Sequence, residues 1–484
     1  MNRNRNTTLK GKPMPQSTRF TPATILLAAF VLSTSAARPS ICQSVRAQVS
    51  AEPSWRTTPV GGEMTEPADE KVLSQWWTVF NDQTLISLEE RALKSNLDLR
   101  TALSSIEQAR ANRMSASGRL LPTVSVTGSA TGGRASTRSG GLVSNSNGAE
   151  FDASWEPDFF GGLHKNVAAY DADIEAAREN LHNAMVTLTA ELALDYVSLR
   201  SYQAQIATTQ SNLAKDRDTY EMTLAKRESG LASQLDVQQA LEIVQSAEAS
   251  IPTLETSLHQ TMNAIAILLG QQPGTMDAEL TEAKPIPVVP AEVAVGIPAD
   301  LLRRRPDVRS AERQIAAQAL RVGVAKANLY PTFTLSGTFL FGAQNLLNVL
   351  TPASLASTVA GALQQEILNR RSLKAQVKLQ NALLDQYEIA YDSKLLGAVR
   401  DVENSLQAFG QDQVRRKSLS GAAVSAEQAA EISRELYASG LRDFLVVLDS
   451  ERTVLTAQNS LVQSDAAVDS DLIQIYKAMG GGWK

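Results

Sequence analysis

The chain has a single cysteine, Cys42, and three histidines in 484 residues. One cysteine excludes an intrachain disulfide, and so few soft ligands leave almost nothing from which to build a metal site. Aromatic residues make up only 5%, which is thin for a large compact core. Lysine and arginine number 46 against 51 acidic residues, a net charge of −5. That balance argues against a nucleic-acid partner, because phosphate contacts need clustered cations. Arg303-Arg304-Arg305 is too short a basic run to change this. Glu89-Glu90 has no accompanying pocket motif, and no catalytic constellation or cofactor motif is present. An enzyme is therefore the least expected class. Beyond the N-terminus no segment has the roughly 18 uncharged apolar residues of a membrane helix. Any membrane residence of the mature chain must come through β-strands.

What is present begins with an export signal. Arg3, Arg5, Lys10, Lys12 and Arg19 form a basic stretch without acidic residues, followed by an apolar run from Ala23 to Leu32. That run has the length of a signal-peptide core and is too short to span a bilayer. Small-residue cleavage sites follow at Ser35-Ala36-Ala37 and Val45-Arg46-Ala47, so residues 1–47 read as a leader. Residues 48–84 form an N-terminal segment.

The strongest feature is an internal duplication. Residues 96–128 align without a gap on residues 305–337, matching Asp98 with Asp307, Arg100 with Arg309, Ile106 with Ile315 and Pro122 with Pro331. Further on, Ser229-Gly230-Leu231 falls on Ser439-Gly440-Leu441 and Gly270 on Gly480. The chain is a tandem repeat of a unit about 210 residues long, far longer than the units of small-repeat solenoids. Repeat 1 is assigned to residues 85–270, a proline-rich linker to 271–300 and repeat 2 to 301–484.

Each unit has the same plan. A helix (85–118, then 306–329) stops before a proline. Period-two alternation follows: Val124, Val126 and Gly128 against Thr123, Ser125 and Thr127, then Phe333, Leu335, Phe339 and Phe341 against Thr332, Thr334 and Ser336. The Gly/Ser/Asn-rich stretch 132–148 reads as a loop, Glu150 to Phe160 as a returning strand, and Leu355 to Ile367 as its counterpart. The hairpins thus span 122–160 and 331–367.

Long helices come next. Residues 164–228 lack proline and glycine, and Met185, Leu192, Leu199, Ile206, Leu213 and Tyr220 recur every seven residues. Such a repeat predicts a supercoiled seam against a neighbouring helix, on a rod of roughly 100 Å at 1.5 Å per residue. A turn at Gly230 leads into a helix over 233–269, kinked at Pro252. Residues 372–438, a turn at Gly440 and 443–479 repeat the arrangement. Gly480-Gly481-Gly482 stops the last helix. Four strands of about ten residues have bilayer-crossing length but cannot close a barrel, which takes about eight or more. Several copies must share one, and strand arithmetic alone leaves dimer, trimer and tetramer open.

At this point three motifs become recognisable: Trp155-Glu156-Pro157-Asp158-Phe159-Phe160-Gly161, Leu301-Leu302-Arg303-Arg304-Arg305-Pro306-Asp307, and Tyr476-Lys477-Ala478-Met479-Gly480-Gly481-Gly482-Trp483. Together they resemble the TolC-like outer-membrane efflux channels, in particular those serving resistance-nodulation-division pumps, over nearly all of the mature chain. The resemblance implies an α+β membrane protein. Three copies would share a 12-strand β-barrel, four strands per chain, continued by a long α-helical barrel through the periplasm, with residues 48–84 in its equatorial region. The implied partners are a homotrimer, a periplasmic adaptor, an inner-membrane pump and outer-membrane lipid. The cargo would be drugs or other small molecules.

The pattern Tyr437-x-x-Gly440-x-x-x-x-Leu445-x-x-x-Asp449 matches the family's periplasmic gate and nominates Leu445 and Asp449, four residues apart on one helix face. Spacing alone equally allows a coiled-coil leucine and a solvated aspartate. Gly230, Ser233, Gly440 and Asp443 are candidate adaptor contacts, or simply turn chemistry. Many family members carry a lipidated cysteine. Cys42 is the only possibility here, although the bulky Ile41 before it fits that pattern poorly. Where the family has a Phe-Asp-x-Gly turn, this chain has Leu368-Asn369-Arg370-Arg371, and Pro157 falls in the expected second strand. Two other readings fit parts of the sequence: a type I protein-secretion duct, and an exported coiled-coil scaffold without transport.

Overall fold

The computed structural model describes residues 63–64, 70–134, 143–287, 293–294 and 304–483. The leader with Cys42, Arg303 and much of the proline-rich linker lie outside them. Strand β1 (Glu63–Met64) precedes helix α1 (Glu70–Ser74) and a 3-10 turn at Trp76–Phe80. The helix expected over 85–118 is two helices, α2 (Gln83–Ser95) and α3 (Leu97–Gly118). Asn96 causes the break: its side chain accepts from the Asp98 and Leu99 amides at 2.8 and 3.0 Å and donates to the Leu268 carbonyl at 2.9 Å. A side chain that competes for backbone donors favours a cap over a helix interior.

Strands β2 (Thr123–Arg134) and β3 (Val143–Trp155) run into the stretch assigned to a loop. Ser, Gly and Asn on both faces hide the period there. Strand β3 ends at Trp155, so Pro157 sits beyond it in a turn and no ladder donor is lost. Helices α4 (Gly162–Glu228), α5 (Gln234–Leu268) and α6 (Asp277–Leu280) follow. Strand β4 (Val293–Ala294) pairs in parallel with β1. Helix α5 runs through Pro252 as one element, leaving the Glu248 carbonyl without its helical donor. Repeat 2 supplies α7 (Pro306–Ala327), β5 (Thr332–Ala343), β6 (Leu355–Gln364), α8 (Arg370–Ala438) and α9 (Phe444–Ala478). The turn into α4 uses Gly161 at φ +70°, whereas Asn369 before α8 stands at φ −86°. The second turn is made without a left-handed residue, so the missing glycine is not needed.

The four long strands form one antiparallel sheet in the order β2-β3-β5-β6. Its register puts Val126 opposite Phe151, Phe151 opposite Phe339, Trp155 opposite Leu335, and Phe333 opposite Leu363. Because side chains alternate across a strand, one face collects Val124, Val126, Phe151, Trp155, Phe333, Leu335, Phe339, Val359 and Leu363. The other face carries Thr123, Ser125, Thr127, Glu150, Asp152, Thr334, Ser336 and Thr358. Most of the apolar set is exposed, including Val124, Val126, Phe339 and Val359. Among the described residues the outer edges of β2 and β6 have no strand partner.

The main core lies where the 3-10 turn, α2, α4, α5, α8 and α9 meet, around Trp76, Leu85, Leu192, Leu199, Ile265, Phe409 and Leu472. Trp76 stacks on Tyr476 with centroids 5.5 Å apart. The glycines after α9 do more than stop a helix. A Cβ on Gly481 would stand 2.8 Å from the Leu73 carbonyl oxygen, and one on Gly482 2.6 Å from Thr189 Oγ1. The first part of the linker is also built in, with Met276 and Leu280 buried and the Leu280 carbonyl accepting from Gln203 at 2.7 Å.

Candidate functional site

The two helix turns at the far ends of the long helices are built alike. After α4 the Leu231 amide donates to the Lys226 carbonyl at 2.8 Å and the Gly230 amide to the Arg227 carbonyl at 2.9 Å. After α8 the Leu441 amide donates to the Leu436 carbonyl at 2.8 Å and the Gly440 amide to the Tyr437 carbonyl at 3.0 Å. This crossed pair needs a left-handed residue, and Gly230 and Gly440 stand at φ +76° and +74°. The same pair ends α5 at Gly270 and α9 at Gly480, so the duplication extends to the backbone bonding of the helix ends. The turns diverge at the next helix start. Ser233 and Asp236 form a reciprocal capping box, whereas the Asp443 side chain makes no cap bond. A Cβ on Gly230 or Gly440 would meet nothing within 4 Å, so both turns are open to approach.

The turns of the two repeats touch. The Lys226 ammonium donates to the Tyr437 carbonyl and lies 4.2 Å from the centroid of the Tyr437 ring. Tyr437 meets Phe444 edge-on at 5.5 Å, and both pack with Ala240, Val447 and Leu448 in a small core. Leu445 and Asp449 lie on the other side of α9. Leu445 is 59% exposed, and the Asp449 carboxylate, also exposed, makes no hydrogen bond or ion pair among the described residues. Leu445 is therefore not a coiled-coil core residue of its own chain; Phe444, Val447 and Leu448 fill that role.

Above the turns the seam of α4 changes character. Around the main core it buries Leu192, Ala193, Tyr196 and Leu199. Nearer the turns it buries Gln205, Thr209, Asn212, Asp216, Thr219 and Thr223, still at the alternating four and three steps of a coiled coil. Asn212 donates to Gln458 of α9 at 2.7 Å. Arg434 of α8 pairs with the buried Glu451 of α9 at 2.6 Å, and Lys215 reaches Glu427 of α8 at 3.7 Å. Burial, and then the charge of Glu451, push the Asp216 carboxyl up to about 7 against the pull of Arg434 and Lys215. Burial likewise raises Glu451, with Arg434 opposing. The apolar heptads point to the seam, but only the 205–223 run of polar residues at coiled-coil spacing, one residue ahead of the apolar heptad positions, would have exposed this second half. Lys226 carried no sequence signal of its own. Among the described residues no group of His, Cys, Asp and Glu could hold a metal.

The description "Outer membrane efflux protein" fits the family model that matches residues 88–271 and 297–481. Nodulation protein T of Rhizobium leguminosarum bv. trifolii is 32% identical over 409 residues, covering 83% of this chain and 86% of the relative. The pyoverdine export outer membrane protein OpmQ of Pseudomonas putida is 29% identical over 422 residues, covering 85% and 88%. Among solved structures, the outer-membrane channel OprN superposes with a TM-score of 0.82 at 30% identity, covering 90% of this chain and 98% of that one. The open state of the Neisseria gonorrhoeae MtrE outer membrane channel gives 0.77 at 25% identity, covering 90% and 98%. These matches set aside the scaffold reading, and they place the chain among channels and not among enzymes. The two-repeat α+β chain belongs to the outer membrane efflux protein family and is an efflux channel of the outer membrane.

Proposed function

We propose that three copies of this chain close one 12-strand barrel in the outer membrane and continue it as a helical tunnel in the periplasm. The observation that carries this reading is the sheet itself. One face is apolar and exposed, and among the described residues neither edge has a strand partner. In lipid each unpaired edge group costs several kcal/mol, so the edges must be paired, and neighbouring copies supply the partners. The tunnel passively conducts small molecules delivered by an inner-membrane pump through a periplasmic adaptor. Relatives named for pyoverdine export and toluene efflux favour small cargo over a type I protein-secretion role.

Leu445 and Asp449 form the gate in this reading. Their exposure leaves them available to symmetry copies, which would set an apolar ring beside a carboxylate ring at the closed end. The contact of Lys226 with Tyr437 between the two turns also holds the closed state. Gly230, Ser233, Gly440 and Asp443 meet the adaptor. The test is conductance of the purified protein in a planar bilayer. A small, intermittent current that grows when the turns are loosened supports a gated duct, and the absence of any current from inserted protein rejects it.

A further inference from the structure

On α7, Arg309 bonds Glu179 at 2.6 Å, Arg313 bonds Glu175 at 3.2 Å and Arg321 bonds Asp173 at 2.5 Å. The start of α8 differs from this stretch of α7. Arg370, Arg371, Lys374 and Lys378 are all exposed and make no ion pair among the described residues. Arg371, Lys374 and Lys378 stand at i, i+3 and i+7, on one face of the helix. The four line a shallow depression with Ala375. The helix N-terminus adds its own positive field. The nearest acidic groups on the same segment are Glu366, which bonds Asn369 at 2.9 Å, and Asp385 further along α8. The corresponding start of α4 in repeat 1 is different, because His164 is held by Asp158 at 2.6 Å. The excess positive charge belongs to one repeat only.

The surroundings point to lipid. Between β6 and α8 the chain presents Ile367 and Leu368, 78% and 100% exposed. Arg370 and Ile367 also line a second depression with Tyr330 and Pro331. Tyr330 stacks on Phe160 at 4.8 Å, and Phe159 meets Phe333 of the apolar sheet face at 4.9 Å. Aromatic side chains gather where a membrane wall meets water. Residues 370–378 make about 12 Å of helix that starts beside this cluster at Arg370, enough to cross the headgroup layer of a leaflet.

We infer that Arg370, Arg371, Lys374 and Lys378 bind the phosphate of an anionic phospholipid in the periplasm-facing leaflet, with Ile367 and Leu368 against its acyl chains. The inference rests on the barrel reading proposed above. Each cation near an anionic surface adds to the attraction, and an apolar residue beside it supplies the second half of an interfacial anchor.

The test uses the full mature protein in nanodiscs and in planar bilayers. Retained lipid is measured by native mass spectrometry in equal mixtures of phosphatidylglycerol and phosphatidylcholine. Wild type should retain phosphatidylglycerol preferentially, and R370Q/R371Q/K374Q/K378Q should reduce that preference about tenfold or more. R370K/R371K keeps the charge and should keep the preference, which guards against a folding defect in the neutral variant. Equal retention of both lipids by inserted wild type overturns the lipid site while the barrel stands. Failure of wild type to insert at all overturns the barrel reading instead. If the neutral variant keeps the lipid preference but changes the ion selectivity of the bilayer current, the cations face the conduit and the inference is wrong.

Discussion

The Lys226 ammonium sits on the Tyr437 ring and donates to the Tyr437 carbonyl, fastening the last turn of α4 to the last turn of α8. A cation at the C-terminal end of a helix also meets the negative end of its dipole. This single side chain therefore joins three favourable terms at the point where the helical ends of the two repeats meet. Removing it in K226M should cost about 1–2 kcal/mol of turn-to-turn cohesion. We expect higher bilayer conductance and greater antibiotic sensitivity in cells, with only a small change in melting temperature. A double-mutant cycle with Y437L should show coupling, and additive effects would mean that the two residues do not act together.

Asp449 is predicted to act at the closed end. As a hypothesis drawn from its exposure beside Leu445 and the gate role implied by family resemblance, D449A should loosen the closed state and admit antibiotics normally kept out. Unchanged leak current and unchanged drug sensitivity would count against Asp449 as part of a gate.

The buried seam makes stability depend on pH in a definite direction. Asp216 is raised to about 7 from the ordinary 3.8, so between those values the folded chain holds a proton that the unfolded chain does not. Its contribution is fully present below about pH 4, is lost as pH rises through about 7, and is constant beyond. Glu451, Arg434, Lys215 and Glu427 are the charged groups around it. D216N should remove this component. The melting temperature of wild type should therefore fall, relative to D216N, between about pH 4 and about pH 7. Parallel curves would show that Asp216 does not titrate in this range. Asp469 and Asp471 are also raised, to about 8 and about 7, so the comparison with D216N is the informative one.

Two kinds of glycine should be separable by substitution. Gly230 needs only its left-handed backbone, since a Cβ there meets open space. G230A should cost about 1–2 kcal/mol. Gly482 combines φ +96° with a 2.6 Å approach to Thr189 Oγ1, so G482A should cost more, about 2–4 kcal/mol. Chemical or thermal denaturation of both variants checks the order, and equal losses would contradict it.

Local periodicity made much of this molecule legible. The 210-residue duplication, the alternation in β2 and β5 and the apolar heptads of α4 are each written in consecutive residues, and backbone geometry follows directly from such periods. Asn96 was missed because a cap inside an apolar-periodic stretch looks like one more polar face residue. The far ends of β2 and β3 were missed because Ser, Gly and Asn carry no face preference. At the turns, Gly230 and Gly440 were readable from their left-handed requirement. The pairing of Lys226 with Tyr437 was not, since residues 211 positions apart meet only after both long helices are built. The polar half of the seam kept the coiled-coil spacing but not the apolar composition by which such seams are found.

The central claim is that open sheet edges in one chain are closed by copies of itself. Native mass spectrometry of the protein extracted by detergent from isolated outer membranes tests it most directly. The account predicts a complex of three chains in that fraction. A monomer released without detergent would contradict it, because a single four-strand sheet with both edges open cannot remain in lipid.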